Sequence, residues 1–185
     1  MFLQFFTKFR KKTENFLSGR FCRLILFTRL QNPKNMRYFR GKGWFRFMSI
    51  ITDSFVVSTK GFTDIIDITE KVSEIVKKHN ITEASAQIYS IGSTASVTTL
   101  EYEPGLLKDL PEALEKIAPV NKEYHHDMTW QDGNGYAHIR SALTGTFATV
   151  PVINGELFLG TWQQLVLMDF DNKPRTRTIT VQFLF

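Results

Sequence analysis

Asn154-Gly155 separates two mainly apolar stretches, Phe147 to Ile153 and Glu156 to Leu159. An Asn-Gly pair readily takes the two left-handed conformations of a type I′ turn, whose twist suits antiparallel strands. The pair therefore predicts a hairpin, and with it a sheet that is antiparallel at least locally. Other segments fit such a sheet. Ser54 to Ser58 is β-branched, Ala84 to Ile91 alternates, and Ala95 to Tyr102 is rich in Val and Thr. Trp162 to Phe170 and Arg177 to Leu184 are two further strands, joined through Asp171-Asn172 and Pro174, and Asp64 to Asp67 adds a short one.

Helical spacing is confined to fewer places. Val72, Ile75 and Val76 follow Thr69, a cap residue, and the helix ends near His79 or Asn80. Leu106, Leu110, Leu114 and Ile117 mark a second helix, with Pro111 near an early turn or kink. Ala137 to Leu143 suits a short third helix. Many strands with two or three helices make an α+β domain whose sheets are mainly antiparallel.

Charge divides the chain in two. Residues 1–47 carry 12 of the 23 Lys and Arg but only one acid, Glu14, whereas residues 48–185 carry the other 11 bases and 17 acids. The overall charge of +5 thus belongs to a basic, aromatic-rich N-terminal extension, and the domain from Met48 onward is acidic. Three readings of the extension stand: an organellar presequence, an arm for nucleic acid or a membrane surface, or upstream sequence joined by an early start. The third is favoured, because the composition changes abruptly at Met48. Cys22 is the single cysteine, which excludes an intramolecular disulfide and paired-cysteine zinc sites. No apolar run reaches the roughly 18–20 residues that cross a bilayer, and a cytoplasmic location is the expectation.

Chemistry concentrates between Tyr124 and Arg140, where His125, His126 and His138 lie among Asp127, Asp132 and Asn134. Gly133 and Gly135 punctuate the segment and predict a loop. His126 and His138 are the metal candidates, with Asp127 or Asp132 completing a shell or acting as a base. The spacing matches no HExxH or finger pattern, so ordinary loop histidines and turn-capping aspartates remain open. His125 should face away from His126, and His79 suits a helix C-terminus. Glu101 and Glu103 alternate at a strand end, where two acids on one face form an acid/base or magnesium feature or a solvated edge. Gly92-Ser93-Thr94 interrupts two strands, either as a phosphate cradle or as a plain bend. Trp162 and Gln163 line a pocket or pack in a core, and Arg175 and Arg177 bind anions or form a solvated strand face.

Several of these segments recur together in one family. Asp67-Ile68-Thr69, Glu101 to Gly105 (E-Y-E-P-G), Tyr124 to Asp127 (Y-x-H-D), Asp132 to Asn134, Ala137-His138, Val150 to Leu157 and Leu159 to Gln163 follow in order. From about Phe55 to Phe183 the chain resembles the YjbQ family of secondary thiamine-phosphate synthases. Residues 1–47 lie outside the resemblance. Many members begin an H-T-T-A motif with histidine where this chain has Gly92-Ser93-Thr94-Ala95, a G-S-T form that resembles an archaeal-type branch.

The resemblance implies a β-sandwich core, a homotrimer, and a small-molecule site around His126, Asp132, Asn134 and His138. It also implies joining of a pyrimidine pyrophosphate to a thiazole phosphate, with a divalent metal such as zinc or magnesium assisting. In this reading His126 and His138 are ligands or acid/base groups, and Asp132 and Glu101 assist. Ser93, Thr94 and Asn134, with Trp162 and Gln163, hold the phosphorylated substrate. The alternative is a non-catalytic trimer that binds a small anionic ligand.

Overall fold

The computed structural model describes residues 49–185. The basic extension, and with it the choice among its three readings, lies outside the described residues. Among the described residues eight strands and four helices follow one another: β1 (Ile50–Thr59), β2 (Asp64–Asp67), α1 (Thr69–Lys78), β3 (Ala84–Ser90), β4 (Ala95–Leu100), α2 (Leu106–Ile117), α3 (His125–Trp130), α4 (Gly135–Thr144), β5 (Phe147–Ile153), β6 (Glu156–Leu157), β7 (Gln164–Asp169) and β8 (Arg175–Leu184). The α+β expectation holds, with one helix more than the two or three expected.

The strands form two antiparallel sheets, one ordered β1-β8-β3-β5-β6 and the other β2-β7-β4. Period-two alternation decides what each face touches. In β8, Ile179, Val181 and Phe183 are fully buried, while Thr180 and Gln182 lie on the opposite face. The inner residues of the larger sheet share one cluster with Val97, Leu165 and Leu167 of the smaller sheet and with Val72, Ile75 and Val76 of α1. This is the sandwich core, and α1 contributes to it through its i, i+3, i+4 stripe.

The smaller sheet is buried on its second face too. Val166 and Met168 of β7 join Leu114 of α2 and Tyr136 and Ala137 of α4 in a second cluster. Strand β7 is therefore almost wholly buried, which accounts for its unbroken apolar run of Leu165 to Met168.

Two local expectations change. Thr69 is not the cap of α1: it is the first helical residue, its N–H bonds Asp67 Oδ1 at 2.8 Å, and its hydroxyl accepts from Leu165 N–H at 2.9 Å. The expected histidine-rich loop holds a helix of its own, α3, and a tight turn then leads into α4, the expected third helix, which starts two residues earlier than Ala137. Gln131 and Gly133 take φ of 55° and 64° there, and these left-handed residues reverse the chain within four positions. Gly135 then allows α4 to approach α3, since a Cβ at this position would lie 2.5 Å from Tyr124 Cβ.

Candidate functional site

The turn between α3 and α4 gathers four of the predicted site residues, His126, Asp132, Asn134 and His138. The rings of His126 and His138 lie 4.3 Å apart, tilted by 47°. His126 Nε2 is 3.5 Å from Asp132 Oδ1. One ligand atom from each of His126, Asp127 and Asp132 falls within 4.8 Å of the other two. Ligands about 2.0–2.2 Å from a tetrahedral zinc ion stand roughly 3.3–3.6 Å apart, so the trio would close by up to roughly an ångström to share an ion. His138 stands beside this trio and not within it.

Other contacts hold the carboxylates and imidazoles in place. Asp127 Oδ1 accepts from Gly135 N–H at 2.9 Å, tying α3 to the first residue of α4. Asn134 is 6% exposed. With its amide nitrogen turned inward it donates to both Asp132 oxygens at 3.2 and 3.3 Å and to His126 Nε2 at 3.3 Å. The Asn172 side chain donates to the Asp132 carbonyl at 2.6 Å. Burial, and then repulsion from His126, push the His138 imidazolium below the ordinary histidine range. His138 is thus a neutral imidazole at neutral pH, able to accept a proton or a metal. His125 is exposed beside the half-buried His126, as the sequence suggested.

A second polar cluster adjoins the first through the Asp171-Asn172 turn. Arg177 Nε and Nη2 donate to the two oxygens of Asp169 at 2.7 and 2.5 Å, and Nη2 also reaches Thr94 Oγ1 at 2.8 Å. Thr94 Oγ1 in turn donates to Asp171 Oδ2 at 3.0 Å, and Arg175 Nε reaches the same oxygen at 2.8 Å. Burial alone would raise the Asp171 carboxyl, but hydrogen bonds from Arg175 and Thr94 outweigh it and hold the group below the usual range. Asp169, Asp171, Thr94 and Arg177 are all buried. Arg177 is therefore no part of a solvated strand face. Its even spacing from Ile179, Val181 and Phe183 was the available signal, because that parity places it inward. Asp169 was not singled out, since an acid ending an apolar strand looks like a loop residue.

Glu101, Trp162 and Gln163 do not join this cluster within the chain. Thr94 and Glu101 flank opposite ends of β4, up to roughly 24 Å apart at about 3.4 Å per residue. Gln163 bonds Thr99 Oγ1 at 3.4 Å and Gly160 N–H at 2.8 Å near the Glu101 end, and Trp162 is 70% exposed. The expected pair of strand-end acids is also undone. Strand β4 stops at Leu100, and the Glu103 carboxylate accepts the N–H groups of Gly105 and Leu106. Those bonds hold its pKa below the ordinary value and make it a cap for α2. His79 is likewise structural, bonding Asp53 Oδ2 at 2.7 Å at the end of α1.

Among known proteins, residues 53–185 match the family described as UPF0047 protein YjbQ-like. A UPF0047 protein of Archaeoglobus fulgidus is 39% identical over 121 residues, covering 65% of this chain and 91% of that relative. One from Methanothermobacter thermautotrophicus is 36% identical, covering 73% and 92%. A crystal structure described as a YbjQ-like protein of unknown function, from Sulfolobus solfataricus P2, superposes with a TM-score of 0.70. It is 31% identical and covers 75% of this chain and 99% of its own. The chain belongs to the YjbQ-like UPF0047 family.

Proposed function

We propose that this YjbQ-like chain is a metal-assisted enzyme acting on a small phosphorylated heterocycle, nominally in thiamine phosphate formation as the family resemblance suggests. The observation that carries the reading is the convergence of His126, Asp127 and Asp132 beside the neutral imidazole of His138. An imidazole with two carboxylates suits zinc or a harder divalent ion such as magnesium. His126, Asp127 and Asp132 would hold it. When bound, the ion supplies Lewis-acid stabilisation of charge on a phosphoryl oxygen. Asn134 orients the carboxylate and imidazole, and His138 accepts or returns a proton at its free ring nitrogen. Within one chain Glu101 takes no part in this constellation.

The working form is a homotrimer in this reading. The outer face of the larger sheet supports assembly: along β1, β8, β3 and β5 its outward positions hold no charged residue, and Val56, Tyr89 and Phe147 stand exposed on it. Depletion of charge is a mark of interface cores. Among the described residues no helix is long and apolar enough to cross a membrane, and a cytoplasmic site of action fits the reading.

The test is metal content and turnover of the full chain with His126→Ala and with His138→Ala, measured alongside circular dichroism. The expected result is that His126→Ala loses at least the roughly 10–100-fold in metal affinity that removal of a ligand's supporting partner costs, and that either variant loses turnover while folded. Folded variants with unchanged metal content and turnover would end the reading. Saturable ligand binding without product in the wild type would instead favour a non-catalytic binder.

A further inference from the structure

The buried guanidinium of Arg177 has one edge that the protein does not use. Nε and Nη2 are committed to Asp169 and Thr94. Nη1 makes no hydrogen bond among the described residues, although Arg177 is only 8% exposed. Among the described residues the enclosed side-chain atoms without a partner are Ser90 Oγ and Tyr136 OH, so Nη1 is not enclosed and presents its donors at the surface. Gly92 lies at this edge. A Cβ built on Gly92 would lie 3.2 Å from Nη1, so glycine leaves the space in front of it clear. Gly92 has φ of +135°, a conformation few side chains tolerate.

The loop over this edge offers further donors. Gly92 and Ser93 are exposed, and among the described residues their backbone N–H groups bond no carbonyl. Two free amides and one guanidinium N–H suit a tetrahedral oxyanion. The neighbouring acids do not compete for Nη1. Asp169 is held by Nε and Nη2, while Asp171 is occupied by Arg175, Thr94 and the Asn172 N–H.

We propose that Arg177 Nη1 and the Gly92-Ser93 loop form a binding site for a phosphate or phosphate-ester group. The inference deepens the reading above, because it assigns the grip on the phosphorylated substrate to a residue outside the histidine cluster. The Asp171-Asn172 turn connects the two places: Thr94 bonds Asp171, and Asn172 bonds the Asp132 carbonyl.

Calorimetric titration of the full chain with inorganic phosphate and with phenyl phosphate tests it. Both should saturate. Ser93→Glu, an exposed change that brings a carboxylate to the loop, should weaken binding on the order of tenfold or more. Arg177→Lys, which keeps the charge but removes Nη1, should do the same. Tighter binding of phenyl phosphate assigns the site to a substrate's ester, and tighter binding of inorganic phosphate assigns it to the free ion. If neither probe saturates, or if Ser93→Glu binds both as the wild type does, the proposal fails whatever Arg177→Lys shows. Metal affinity separates this failure from that of the enzyme reading: Ser93→Glu should keep it, and His126→Ala should lose it while retaining phosphate.

Discussion

Two polar clusters meet at the Asp171-Asn172 turn, and they are built to opposite rules. Around Arg177 the charges are buried and locked by short bonds, with Asp169 gripped at 2.5 and 2.7 Å. Around His126 the groups are half exposed and loosely held, with the closest approach to Asp132 at 3.5 Å. The first arrangement spends nearly all its bonding capacity on the fold, leaving one guanidinium edge. The second keeps lone pairs on two carboxylates and on His138, while His126 Nε2 would exchange the Asn134 N–H for an ion. Rigidity in one cluster lets the other remain unsaturated without losing its position, since Asn172 ties the fixed turn to Asp132.

The strongest challenge to that contrast is Asp169→Ala. It would strand the buried Arg177 charge, and the expected loss is about 3–5 kcal/mol in urea unfolding. A loss below about 1 kcal/mol would mean that the Arg177 cluster is not a structural anchor. Gly135→Ala should act next most strongly. Its methyl group meets Tyr124 Cβ and Cγ, which lie too close to the backbone to swing away. Overpacking here should cost about 1–3 kcal/mol and part α4 from α3. Metal affinity should fall with it; a variant that keeps both stability and metal binding would show that the α3–α4 approach is not critical.

The smallest effect should appear with pH. The folded state depresses the His138 pKa, so the unfolded chain binds the proton more readily. The neutral ring's contribution is fully present above about pH 6.5 and is lost as pH falls below it. Stability curves for metal-free wild type and His138→Gln should therefore diverge in that direction, and parallel curves would contradict the assignment of a neutral His138.

Much of the sandwich was legible because alternation and turn chemistry are local. Asn154-Gly155 forms the expected turn, with φ of 53° and 84°. The site was less legible. Glycines at 133 and 135 suggest a loop, yet Gly135 is the first residue of α4, chosen for the close approach to Tyr124. A residue's demand for space against a distant neighbour leaves no periodic trace. Glu101 and Glu103 misled for a related reason: an alternation rule applies only while the strand continues, and β4 ends one residue before Glu101. Arg177 had the opposite fate, since parity with Ile179 marked it as buried while its charge suggested solvent.

Strand β7 sends Leu165 and Leu167 into one core and Val166 and Met168 into the other. Its amide protons should therefore rank among the slowest to exchange with deuterated solvent, because releasing them requires both hydrophobic clusters to open. Helix α3, with no buried residue of its own, should exchange far sooner. The protein would then carry its candidate chemistry on a short segment that breathes, beside a strand that opens only when the whole domain does.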